Sequence, residues 1–154
     1  MKHQFIDAEI TGDDSPQFRE IKANVDVLLP IRELRLIRLK NTLREEETTL
    51  RQLNREYQTG LRRLDRKREA YKKTIDEFAQ FHTGVILIQE KLHQTLEAEK
   101  VARDLVLKQE AENYDMAMQI DNQTSVVEEA KAAVKVCQSD IEKLEYIKVQ
   151  KDFQ

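Results

Sequence analysis

The sequence predicts an all-α fold: a long antiparallel two-helix coiled-coil hairpin with a short N-terminal helical or irregular extension. Three observations predict it. Charged residues make up 36% of the 154 residues, against 3 Gly, 2 Pro and no Trp, too few turn formers for a compact domain of this length. From Ile31 to Gln154 there is no proline and only Gly60 and Gly84, in a background of the Ala, Glu, Lys, Leu and Arg that fill long helices. The charge is also divided: Leu29–Gln80 carries +5, Val85–Gln154 carries −5 and Met1–Leu28 carries −3. Helices of opposite charge prefer each other to self-pairing.

Residues 1–27 read as an acidic extension. Thr11-Gly-Asp-Asp-Ser-Pro16 is a turn cluster, and Ser15 is placed to cap a short helix with Pro16 at its first position. Phe18, Ile21 and Val25 then follow at helical spacing. The first long helix is expected over 28–81, starting between Asp26 and Ile31, with Asp26 as N-cap and Pro30 tolerated in the first turn. Leu29, Leu36, Leu43, Leu50, Tyr57, Leu64, Tyr71 and Phe78 recur every seventh residue. A companion position runs Leu39, Leu53, then Leu61 and Ile75, the drift of a 3.6-residue helix against a 3.5-residue seam.

His82-Thr83-Gly84 is the predicted turn, with Gly84 suited to the helix end. The second helix is expected over 85–150, with 151–154 fraying. Val85, Leu92, Val106, Ile120, Val127, Val134 and Ile141 form one heptad column, and Ile88, Ala102, Met116, Ala130, Cys137 and Leu144 the other. Glu99, Gln109, Asn113 and Gln123 interrupt the seam as polar layers, which cost stability and fix register. The second helix is expected to outrun the first, with the Phe18–Val25 stretch covering the overhang.

Chemistry for catalysis is missing. There is no Gly-rich phosphate loop and no Cys-x-x-Cys pair, and His3, His82 and His93 are the only histidines, so no catalytic residue, cofactor or metal ligand is assigned. Glu90-Lys-Leu-His93 has the Glu-x-x-His spacing of di-iron bundles, but those sites need a second copy and two further glutamates. The expected reading is a solvated helix face. Cys137, alone, forms no internal disulfide and reads as a small buried hydrophobe in a reducing compartment. The longest apolar run, Val85-Ile-Leu-Ile88, is too short to span a bilayer, and the charged start is unlike a signal peptide. These features predict a cytoplasmic protein. The basic stretch from Arg62 to Lys73 spreads over several helix faces, and pairing with acidic residues of the second helix is its expected role. Negative net charge and the lack of an aromatic-studded basic groove argue against nucleic acid.

Leu28-Leu-Pro-Ile-Arg-Glu-Leu-Arg-Leu-Ile-Arg38 resembles the opening of the first helix in the type III secretion stalk family (FliJ and YscO proteins), whose pattern is Leu-Leu-x-Ile-[Lys/Arg]-x-Leu-Arg-x-x-Arg. Leu28, Leu29, Ile31, Arg32, Leu34, Arg35 and Arg38 fit it. The length, the single turn and the basic stretch before it also match, whereas Leu39-Lys40 and the long acidic start depart from the family. The resemblance implies a non-enzymatic stalk, cytoplasmic or peripheral at the cytoplasmic face of a secretion apparatus. Its partners would be the secretion ATPase hexamer and the export gate, with substrate chaperones in some members. Arg32, Arg35 and Arg38, then Arg62, Arg66 and Lys73, are the candidate contacts. The rival readings are a self-associating structural scaffold and a holdase-like chaperone using Met116, Met118 and Ile120. A monomer favours the stalk and a tight dimer the scaffold.

Overall fold

A computed structural model describes the backbone of residues 16–82 and 89–152, and all side chains within them except those of Pro16, Phe18, Phe81, His82, Lys151 and Asp152. Two helices account for all of it: α1, Pro16–His82, and α2, Gln89–Asp152. They pack against each other as an all-α helical hairpin, with no strand among the described residues. The predicted turn at Thr83 and Gly84, the Ser15 cap and the seam positions Val85 and Ile88 lie outside the described residues. No helix is long and apolar enough to cross a membrane.

The start of α1 departs from expectation. Asp26 is not an N-cap: the helix begins at Pro16 and runs on with Pro30 inside it. Proline has no N–H for the carbonyl of Asp26, which normally breaks a helix. Packing outweighs that loss here, because Val25 and Leu29, flanking the interruption, are both buried. Asp26 and Pro30 are exposed, so water can reach the orphaned carbonyl. The stretch from Ile21 to Val25 is therefore the early part of α1, not a separate covering helix. Among the described residues α1 has 67 and α2 has 64, so the expected longer second helix is not seen there.

The chain forms two compact units, each with a segment of both helices. The first unit holds the α1 segment to Glu47 and the α2 segment from Ser125. Its core is apolar. Leu29, Cys137 and Ile141 are buried together, and Leu36, Leu39 and Leu144 pack against them. The Cys137 thiol also donates to the Arg32 carbonyl across the seam, at 3.4 Å. Val127 and Val134 continue the buried column in α2.

The second unit, Thr48–Thr124, buries Leu64 and Val106 but also Gln109 and Asn113. Leu50, Leu53, Tyr57, Leu61, Tyr71 and Phe78 are only half-buried, and Ile75 and Leu92, both expected in the seam, are exposed. Two helices cover one face each, which explains the thin burial.

Candidate functional site

A polar cluster occupies the middle of the second unit. Gly60, without a side chain, lets the Asn113 amide of α2 lie against the α1 backbone: Asn113 Nδ2 donates to the Gly60 carbonyl at 3.1 Å. Gln109 Nε2 donates to Asn113 Oδ1 at 2.9 Å, and Lys67 Nζ to Gln109 Oε1 at 3.1 Å. Each buried amide thus has a partner, the condition under which a polar layer specifies one register instead of merely weakening the seam. Glu56, Arg63, Glu112 and Met116 border a shallow groove over this cluster.

Towards the described end of the hairpin, the Tyr71 hydroxyl donates to Glu99 Oε1 at 3.0 Å, and Arg103 stands 3.9 Å from the same carboxylate oxygen. The hydrogen bond to Glu99 holds the Tyr71 phenol above its usual 10.0. The folded chain therefore binds this proton more tightly than the unfolded chain. Its stabilising contribution is complete below the ordinary phenol range and is lost as pH rises through the raised value. Ultraviolet titration should show the Tyr71 phenol ionising above 10, and Glu99→Gln should bring it back down; a Tyr71 titration that Glu99→Gln leaves unmoved would contradict the contact.

The six candidate cations fall into two groups. Arg32 is half-buried and lines a small groove of the first unit with Arg35, Ala133, Val136, Cys137 and Asp140. Arg35 and Arg38 are exposed, with Arg38 on the side of α1 away from the core. The three do not share one flat face; their spacing of three residues turns each about 60° from the last.

Arg62, Arg66 and Lys73 do share a line. At about 100° per residue they fall within about 40° of one another, opposite Leu64 and Leu53, and all three are exposed. Arg51 and Arg55 extend this line within the second unit, and only Glu69 interrupts it. These two arginines were not singled out in the sequence; the 4-7-4-7 spacing of 51, 55, 62, 66 and 73 is the signal that identifies them. The Arg51 and Arg62 guanidiniums donate to the Thr48 and Thr59 hydroxyls at 3.0 and 3.3 Å, and Arg66 Nε to the Arg62 carbonyl at 3.5 Å. The expected pairing with acidic residues of α2 is limited: within the basic stretch Arg68 alone forms an ion pair, 3.8 Å from Glu110, among the described residues.

Glu90 and His93 are exposed, and no group of three or more His, Cys, Asp or Glu side chains is placed to hold a metal among the described residues. Met116 and Ile120 are half-buried and Met118 exposed, as seam and flank positions rather than one apolar surface. No family model matches the chain, and neither a curated protein nor a solved structure is found to be similar to it.

Proposed function

We propose that the chain is a non-enzymatic stalk of a type III protein secretion apparatus, coupling the secretion ATPase ring to the export gate and serving substrate chaperones at its exposed surface. The observation that carries this reading is the line of cations on α1. Arg51, Arg55, Arg62, Arg66 and Lys73 face away from the seam, and none is ion-paired among the described residues. A helix of 67 residues with fixed register presents these charges at set intervals to the carboxylates of an enclosing partner, with specificity and capture rate as the main gain. The Leu28–Arg38 pattern supports the same reading.

The direct test is co-sedimentation with the assembled ATPase ring. One hairpin per hexamer is expected, with binding weakened at least tenfold when Arg62, Arg66 and Lys73 become Glu. Many hairpins per ring, or none, would overturn the proposal. The scaffold reading draws on a different feature, the apolar side of α1.

A further inference from the structure

On the first unit, α1 carries an apolar face on the side away from its core. Val27, Ile31 and Leu34 are 62%, 55% and 51% exposed, and they lie within about 60° of one another around the helix. A spacing of four and three residues is that of a helix that packs against another helix. The α2 segment of this unit lies on the opposite side, where Leu29 and Leu36 meet Cys137 and Ile141. Single exposed leucines or valines are ordinary surface features; a sustained row is the exception.

The ends of this row carry opposite charges. Glu20 lies on the same line before it and Arg38 after it, both exposed and both without an ion pair among the described residues. A second copy laid antiparallel about a two-fold axis near Leu29 sets Glu20 against the partner's Arg38, Arg38 against the partner's Glu20, and Val27 against the partner's Ile31. A parallel arrangement would set Glu20 against its own copy and Arg38 against its own copy. A self-complementary patch of this kind is what an isologous dimer requires.

We propose that this face is a weak antiparallel self-association surface, occupied by the same face of a second copy. The 18 residues from Glu20 to Arg38 span about 27 Å of helix. A stripe about 10 Å wide then buries roughly 600 Å² in total, well under the ~1,200–2,000 Å² of a stable complex. The dimer is therefore weak and populated only at high protein concentration. This inference does not rest on the stalk reading: a dimer this weak leaves a monomer free to enter a ring, and a tight one would favour a scaffold.

Sedimentation velocity of the full chain from about 1 to 500 µM tests it. A reversible monomer–dimer equilibrium is expected. Leu34→Asp should weaken it more than tenfold with helicity unchanged by circular dichroism, since Leu34 is 51% exposed and outside the buried core of its unit. Glu20→Lys and Arg38→Glu should each weaken it about fivefold, and the double variant should restore it, because the charges then match again. A monomer throughout the range, a dimer indifferent to Leu34→Asp, or a double variant no better than either single one would overturn the proposal.

Discussion

Replacing Gly60 with leucine is expected to destabilise the chain by about 3–5 kcal/mol, lowering its melting temperature by roughly 10 °C. A Cβ at this position would overlap Asn113 Oδ1 and lie 3.3 Å from its Cγ and 3.6 Å from Gln109 Nε2. Asn113 must then leave the Gly60 carbonyl, and Gln109 loses its own partner. Each amide left buried and unpaired costs about 1–3 kcal/mol, and the added volume costs about as much again. Alanine improves helix propensity by about 1 kcal/mol, so Gly60→Ala alone should be milder. The double variant Gly60→Ala/Asn113→Ala should be more stable than Gly60→Ala, because the overlapping amide is gone. Thermal melts of the set decide the matter: a neutral Gly60→Leu would show that the helices do not meet at this register.

Pro30→Ala should act in the opposite direction, stabilising the chain by about 2–3 kcal/mol and raising its melting temperature by roughly 4–10 °C. Alanine restores the N–H that the Asp26 carbonyl lacks in an α1 running from Pro16. The substitution is at an exposed site, so little packing is lost. An unchanged melting temperature would mean that the helix starts at or just before Pro30 in solution, since a proline in the first turn costs almost nothing.

The fold was largely legible in the sequence because a long two-helix pairing writes itself as a seven-residue repeat. The seam position of Leu29 and the buried Cys137 both followed from that repeat, and both lie in the apolar core of the first unit. The start of α1 did not follow. Local rules place proline in a first turn, whereas burial of Val25 and Leu29 on either side carries the helix through it. The polar layer was half legible: Gln109 and Asn113 stood out as interruptions of the column, but nothing local paired them with Gly60 and Lys67. A glycine inside a helix costs about 1 kcal/mol, and that cost was the available hint of a close approach. Among the candidate contacts, reading the basic stretch as spread over several faces hid both the common line of Arg62, Arg66 and Lys73 and its extension to Arg51 and Arg55. Arg32 is half-buried where Arg35 and Arg38 are exposed because it lies three residues after Leu29 and four before Leu36, at the edge of the seam.

The most direct test of the stalk proposal is to titrate the purified chain into the secretion ATPase of the same system, following hydrolysis and ring assembly together. The expected result is increased hydrolysis with hexamer formation, lost when Arg62, Arg66 and Lys73 are changed to Glu, and preserved in Leu34→Asp. Absence of both binding and stimulation at concentrations far above micromolar would contradict the stalk and leave a self-associating scaffold as the better account.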